Sequence, residues 1–172
     1  ICNNIEIPNS SETVGPFSED ITLNVVLDAP EVEETEITFE GNALLKARAL
    51  AKFTGLAAIA DDSGICVDAL DGNPGVLSAR WSGATENVDQ ANLDLVLEQI
   101  SEVDESNRGA HFMCAAVAVF PDGTELIATG KMPGSLLRKP QGSNGFGYDP
   151  IFVPNGFTKT TAEMSASEKD AI

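Results

Sequence analysis

Two adjacent aspartates, Asp61 and Asp62, interrupt an apolar segment that runs from Ala57 to Val67. This feature constrains the fold, because charged side chains within an apolar segment must either leave it at a turn or reach a cleft. The apolar residues on both sides are typical of strands, and Ser63-Gly64 favours a turn. The pattern therefore predicts strand, tight acidic turn, strand. Since successive strand residues point to opposite faces, the two carboxylates are expected to have different roles.

The same stretch has the chemistry of a cation site. Carboxylates beside a hydroxyl are hard oxygen ligands, which suit Mg²⁺ better than zinc. An acidic turn of this kind is also common as a plain surface loop. The neighbouring Glu33 and Glu34 read as a solvated loop as well, unless the fold brings them near Asp62.

Length and composition indicate one globular domain, residues 1–172, of which 42% are hydrophobic. Such a chain is long enough for two small lobes around a shared sheet. No apolar run approaches the length of about 20 residues needed to span a bilayer, and the first residues lack a signal pattern. The three cysteines, Cys2, Cys66 and Cys114, are too few and too scattered for a disulfide framework. These observations favour a cytoplasmic protein with no membrane partner.

The formal net charge of −17 argues against binding of a nucleic acid polymer, because such a surface must neutralise phosphates with Lys and Arg. The charge does not exclude a small phosphorylated molecule, since divalent cations and a few placed lysines can neutralise phosphates locally. A solvated acidic surface that aids solubility is the simpler interpretation of the charge.

The apolar periodicities predict both helices and strands along the chain. Thr38 is a suitable N-cap and Gly55 a suitable C-terminal stop for the first helix. Residues 130–150 are dense in Gly and Pro, and a loop of that length is usually functional. The predicted elements are strands at 1–7 and 21–27, a helix from Phe39 to about Phe53, the two strands flanking the acidic turn, a helix at 87–100, a hairpin of 110–120 with 125–129, and a last helix after the capping box Ser165–Glu168.

The glycine-rich segment 142–150 is the second informative stretch. Glycines on both sides of Phe146 free the backbone to bring an aromatic ring against a flat ligand, and Asp149 can accept hydrogen bonds from a base edge. A strand loosened by glycine, with Phe146 in the core, explains the pattern equally well. The chain has no P-loop. With only His111 and scattered cysteines, a zinc site or a Ser-His-Asp hydrolase is disfavoured.

Several blocks in one order resemble the inosine/xanthosine triphosphate pyrophosphatases, which act on non-standard purine nucleoside triphosphates. The resemblance covers about residue 31 to the end. The blocks that carry it are Glu33-Glu34-Thr35, Thr38 to Ala49, Ala60-Asp61-Asp62-Ser63-Gly64, Pro74 to Trp81, Gly145-Phe146-Gly147-Tyr148-Asp149-Pro150, and Ala162-Glu163-Met164-Ser165 with Glu168-Lys169.

The resemblance implies Mg²⁺-dependent hydrolysis of dITP, ITP and XTP to the monophosphate and pyrophosphate. It implies a homodimer, with a long mixed central β-sheet and two α/β lobes flanking an active-site cleft. Asp62 matches the general base and a metal ligand, and Glu33 matches the other metal-binding carboxylate. The residues that match substrate contacts are Asn4, Ser63, Phe146, Gly147, Tyr148, Asp149 and Lys169.

Three departures from the family pattern stand out. The N-terminal phosphate loop is reduced to Cys2-Asn3-Asn4 without its lysine, a terminal Ser-His-Arg is missing after Ile172, and Gly41 replaces a usual Glu. We expect the full-length protein to contain both terminal segments. Two other functions stay open: a catalytically impaired purine-nucleotide-binding module, and a pyrophosphatase of the same architecture for modified pyrimidine nucleotides.

Overall fold

A computed structural model describes residues 29–172 of the chain. The strands predicted at 1–7 and 21–27, and the substrate contact predicted at Asn4, lie outside these residues. No helix in residues 29–172 is both long enough and apolar enough to cross a bilayer. The helices are α1 (Phe39–Thr54), α2 (Val88–Gln99) and α3 (Ala166–Lys169), and the strands are β1 (Ala58–Val67), β2 (Gly109–Val119), β3 (Glu125–Leu136) and β4 (Phe152–Pro154).

The first helix begins and ends as its sequence predicts. The side chain of Thr38 accepts a hydrogen bond from the backbone N–H of Gly41 at 3.1 Å, which satisfies one of the free amides of the first turn. At the other end Gly55 adopts φ 69°, a left-handed conformation that glycine adopts without strain. Its N–H donates to the carbonyl of Ala51 at 2.8 Å and closes the helix.

The predicted turn at the acidic pair is wrong, because Asp61 and Asp62 lie within the continuous strand β1. This strand pairs with β2 along its whole length, and the pairing satisfies backbone groups that a turn would leave free. Gly64 is required there because the segment containing Gly75 and Ser78 packs closely against the strand, and not because the chain turns. An added Cβ at this position would overlap the side chain of Ser78 and the carbonyl of Gly75. The expectation of opposite faces is confirmed, since Asp62 is buried while Asp61 is only half-buried.

The four strands form one antiparallel sheet in the order β1-β2-β3-β4. The predicted hairpin is confirmed, but β3 continues to Leu136, so residues 130–136 are strand and not loop. They extend the strand because β2 pairs with them as far as Gly109 opposite Ser135. The helices and the sheet confirm the α/β class.

Each face of the sheet packs against a different helix. On the α1 face, Ala58 of β1 and Val117 and Val119 of β2 pack against alanines of α1. On the α2 face, Ile65 and Val67 pack with residues of α2. Because side chains alternate along a strand, Asp62 belongs to the α1 face and Ser63 to the opposite one.

Arg108 joins the end of α2 to the end of β3. It is 1% exposed, and its guanidinium donates to the carbonyls of Ile100 at 2.6 Å, Leu136 at 2.9 Å and Leu137 at 3.0 Å. Ile100 is the C-cap of α2, whose last carbonyls have no partner within the helix. The buried guanidinium thus satisfies backbone carbonyls at the end of α2 and at the end of β3.

Candidate active site

Asp62 is a buried carboxylate held by two side chains of α1. Its Oδ2 accepts a hydrogen bond from Asn42 Nδ2 at 3.2 Å, and its Oδ1 accepts one from Lys46 Nζ at 3.3 Å. The two donors are four residues apart, so both lie on one side of the helix. Asn42 is fully buried, and its Oδ1 accepts the backbone N–H of Glu36 at 3.0 Å, which turns its amide group toward Asp62.

The ion pairs of this site continue outward through Glu34. Lys46 Nζ donates to Glu34 Oε1 at 3.0 Å, and Arg80 donates to Glu34 Oε2 at 2.7 Å. Two carboxylates and two cations therefore alternate in the order Asp62, Lys46, Glu34, Arg80. This arrangement places the positive groups of Lys46 and Arg80 in the same cluster as Asp62, where they can bind an anionic ligand.

The environment shifts the pKa values of these groups in different directions. Burial is the largest influence on Asp62 and raises its pKa, and the charge of Lys46 and the hydrogen bond from Asn42 compensate only in part. For Lys46, burial by itself lowers the pKa, but the hydrogen bond to Glu34 and the two negative charges outweigh it and raise the pKa. Lys46 therefore stays protonated, while Asp62 is a stronger base than an ordinary aspartate.

Glu33, the predicted metal ligand, lies beside this cluster in sequence but does not take part in its contacts. Its side chain is exposed, and within residues 29–172 it makes no hydrogen bond or ion pair. Asn42, Lys46 and Arg80 are further parts of the site that no sequence motif indicated. The signal that could have found the first two is their spacing of four residues on the helix that follows the acidic segment.

Asp149 anchors the glycine-rich loop. It is 2% exposed, and its Oδ2 accepts hydrogen bonds from the backbone N–H of Phe146 at 3.0 Å and from Lys169 Nζ at 2.6 Å. Its Oδ1 accepts from Thr161 Oγ1 at 2.8 Å. Through these contacts Asp149 positions Phe146 and Lys169, and it also lines the cavity described below.

The ring of Phe146 is 57% exposed, and the ammonium of Lys169 lies 5.3 Å from its centroid. An exposed aromatic ring on an anchored loop is a surface on which a planar ligand can stack. Tyr148, by contrast, is buried beneath the loop, where its hydroxyl donates to the carbonyl of Ser78 at 2.9 Å. Burial raises the pKa of this tyrosine, which keeps the hydroxyl protonated as a donor.

A cavity of about 780 Å³ lies between this loop, the sheet and α2. Its volume is within the range of ~300–1,000 Å³ that is usual for small-molecule pockets. Ser63, which follows Asp62 in β1, lines it, whereas the side chain of Asp62 lies on the other face of the strand, in contact with α1. The other predicted substrate contacts that line it are Phe146, Gly147, Tyr148, Asp149 and Lys169.

Gly145→Ala is expected to raise the KM for a base-containing substrate at least about tenfold, the effect of losing ~1.4 kcal/mol of binding. Gly145 has φ +74°, and an added Cβ would overlap the carboxylate of Asp149 that holds Phe146 and Lys169. Gly123→Ala is the matched control, because Gly123 also has a positive φ but an added Cβ there meets nothing within 4 Å. Steady-state kinetics and thermal unfolding of both variants separate the clash from backbone strain. Equal KM values in the two variants would contradict this account of the loop.

The fold and the site together define an α/β protein in which one strand carries a buried, cation-flanked carboxylate on one face and lines a cavity of ligand size on the other. More specifically, the chain belongs to the Ham1 family, whose model matches residues 9–172. It is 59% identical over 145 residues to a dITP/XTP pyrophosphatase of Streptomyces avermitilis, covering 84% of this chain and 72% of the relative. It is 52% identical over 152 residues to a dITP/XTP pyrophosphatase of Mycobacteroides abscessus, covering 88% and 73%.

Solved structures show the same likeness. The crystal structure of a nucleoside-triphosphatase, dITP/XTP pyrophosphatase, from Mycobacterium abscessus superposes with a TM-score of 0.75 at 54% identity, covering 83% of this chain and 72% of that one. The structure of a HAM1 protein from Coxiella burnetii gives a TM-score of 0.78 at 42% identity, covering 84% and 74%.

Proposed function

We propose that this protein is a nucleoside triphosphate pyrophosphatase that hydrolyses dITP, ITP and XTP to the monophosphate and pyrophosphate. The observation that carries the proposal is the position of Asp62, a buried carboxylate beside Lys46, one residue before the wall of a cavity that holds an exposed aromatic ring. The family and the names of its relatives support the same activity.

In this reaction Asp62 acts as the general base. Its raised pKa makes its carboxylate a better proton acceptor, so it can take a proton from a water molecule that attacks the α-phosphorus. The water oxygen forms the new P–O bond, the bond between the α-phosphorus and the bridging oxygen breaks, and pyrophosphate leaves. Lys46 and Arg80 are placed to compensate the negative charge of the phosphates.

We propose Mg²⁺ as the cofactor, held by Asp62 and Glu33. Within residues 29–172, no cluster of three or more His, Cys, Asp or Glu side chains could hold a metal by itself. A site of only two carboxylates fits Mg²⁺, which usually takes one or two carboxylates and completes its shell with water and substrate phosphates. The exposed side chain of Glu33 supports it as the second ligand, whereas Glu34 pairs with the two cations Lys46 and Arg80. When bound, the cation supplies neutralisation of the phosphate oxygens.

Base recognition is assigned to the glycine-rich loop. Phe146 stacks on the purine, and Lys169, which uses one N–H on Asp149, has further donors for the 6-oxo group. An adenine presents an amino donor at the same position, so two donors would face each other. Such unpaired polar groups discriminate strongly between otherwise similar substrates.

The assembly and location follow the resemblance. We propose that the protein is a cytoplasmic homodimer, that two lobes flank its cleft, and that Asn4 contributes to the substrate site. Light scattering of the purified full-length protein tests the dimer directly.

Pyrophosphate release from ITP, dITP and XTP in the presence of Mg²⁺ tests the proposed function, with ATP, GTP and a methylated UTP as controls. We expect turnover of the three purine substrates, measured as kcat/KM, to be at least about a hundredfold faster than turnover of ATP, within the range that a site built to hydrogen-bond its substrate supplies. Turnover of the methylated UTP alone would favour the pyrimidine alternative. Binding of ITP without turnover would favour the impaired binding module.

A further inference from the structure

Asp89 connects α2 to the tip of the glycine-rich loop. It lies in the first turn of α2, and its Oδ2 accepts the backbone N–H of Gly147 at 3.0 Å, across 58 residues of sequence. Asp89 also lines the cavity, together with Phe146 and Gly147. Its side chain makes no other hydrogen bond within the part of the chain that the structure describes.

The two peptide N–H groups at this tip are both held by carboxylates. Phe146 donates to Asp149, which belongs to the loop itself, and Gly147 donates to Asp89, which belongs to a helix. Because the ring of Phe146 is largely exposed, packing does little to fix it, and the backbone at 146–147 sets its position. The Asp89 contact therefore connects the stacking surface to the frame of the protein.

The helix that carries Asp89 is firmly held. Asn92, less than one turn later, is 2% exposed and accepts the N–H of Ser82 at 2.7 Å, while its amide donates to the carbonyl of Ser78 at 3.2 Å. Leu93 and Val96 of the same helix are buried in the core. A carboxylate on such a support is a fixed point against which a loop can be positioned.

We propose that Asp89 is a positioning residue that holds the Phe146–Gly147 tip over the cavity, so that the ring meets the base of a bound nucleotide. This inference rests on the proposed function and adds a residue of α2 to it. The raised pKa of Tyr148 agrees with the placement, since burial is its main cause and the nearby charge of Asp89 adds to it.

The kinetic test compares Asp89→Ala, Asp89→Asn and the control Asp94→Ala with the wild type, using ITP. Alanine removes the acceptor, so KM is expected to rise about tenfold while kcat changes less than about threefold, as for a loss of binding shared by the ground and transition states. Asparagine keeps an oxygen that can accept the N–H of Gly147 and is expected to restore most of the affinity. Asp94 lies in the same helix, and within residues 29–172 its side chain hydrogen-bonds only with Gln90, so its variant should match the wild type.

Competition by inorganic triphosphate separates the base contact from the phosphate contacts. Its inhibition constant is expected to be the same in Asp89→Ala and the wild type, because it lacks a base. A KM for ITP that is unchanged in Asp89→Ala, or an equal weakening of ITP and inorganic triphosphate, would overturn the proposal.

Hydrogen exchange of the ligand-free protein tests the contact without relying on activity. Peptides covering residues 144–150 are expected to exchange faster in Asp89→Ala than in Asp89→Asn or Asp94→Ala, since only the alanine variant frees the N–H of Gly147. Unchanged exchange would overturn the inference. If the wild type fails to hydrolyse ITP, the proposed function fails, and the exchange result still decides whether Asp89 holds the loop.

Discussion

Asp62→Asn is expected to lower kcat for ITP about 10²–10⁴-fold, the usual contribution of a general base. The amide is nearly the same size as the carboxylate, but it cannot accept the proton of the attacking water. Asp62 is 8% exposed and hydrogen-bonded to Asn42 and Lys46, so no other acidic side chain of this cluster can replace it without moving. Pyrophosphate release under saturating ITP measures the loss.

Asp61→Asn is the matched control for that variant. Asp61 is the adjacent residue of β1, but its side chain lies on the opposite face and is only half-buried. We expect its kcat to fall less than about tenfold, since the change leaves the proposed proton acceptor in place. Equal losses in the two variants would show that the charge of the pair matters and not the position of Asp62.

The pH dependence of kcat/KM should also report the protonation of Asp62. Because burial raises the pKa of Asp62 in the metal-free protein, the acidic limb of a profile measured at limiting Mg²⁺ is expected above the ordinary aspartate value of about 4. Activity falls as the pH falls through that pKa, since protonated Asp62 cannot act as a base. The same shift makes the contribution of Asp62 to the free energy of unfolding largest at low pH, and this contribution is lost as the pH rises through the raised pKa. Asp62→Asn should remove that contribution, and urea unfolding at several pH values measures it.

Arg108→Met is expected to lower the free energy of unfolding by about 3–5 kcal/mol, as measured by urea unfolding. The substitution keeps an apolar stem but leaves the carbonyls of Ile100, Leu136 and Leu137 without the donor they share. Since Arg108 is 1% exposed, water cannot replace the guanidinium without opening the junction between α2 and β3.

Arg138→Met provides the comparison on the surface. Arg138 also donates to two carbonyls, those of Ser101 and Val103, and pairs with Glu105, but its side chain is 46% exposed. Water can satisfy these acceptors after substitution, so we expect a loss below about 1 kcal/mol. A similar loss in both variants would mean that burial does not determine the cost.

Local signals predicted those elements whose structure depends on nearby residues. Thr38 and Gly55 mark the ends of α1 because capping is a matter of a few neighbouring backbone groups. The turn after Phe120 and the capping box at Ser165 were predicted for the same reason. The composition of the glycine-rich segment is compatible both with a core position of Phe146 and with a ligand-facing one, and the exposure of Phe146 excludes the core position.

Other features depend on residues far apart in sequence, and local patterns could not predict them. Asp61-Asp62-Ser63-Gly64 has turn composition, yet cross-strand pairing with β2 keeps it extended. Thr161 and Lys169, which lie in elements that follow Asp149 in the chain, donate to its oxygens, and no pattern near Asp149 indicates these contacts. The glutamate that contacts Lys46 is Glu34, and only the path of the chain ahead of α1 decides between it and its neighbour.

The alternation of side chains in β1 has a practical consequence for engineering. Asp62 contacts α1, and the next residue, Ser63, lines the cavity whose far wall includes α2 and the glycine-rich loop. Asp62, which would set the turnover rate, thus packs against α1, whereas the residues that would select the base line the cavity on the other face of the strand. Directed evolution toward a different nucleobase can sample the residues of the cavity wall without altering the contacts of Asp62, so preference and rate become independently adjustable properties.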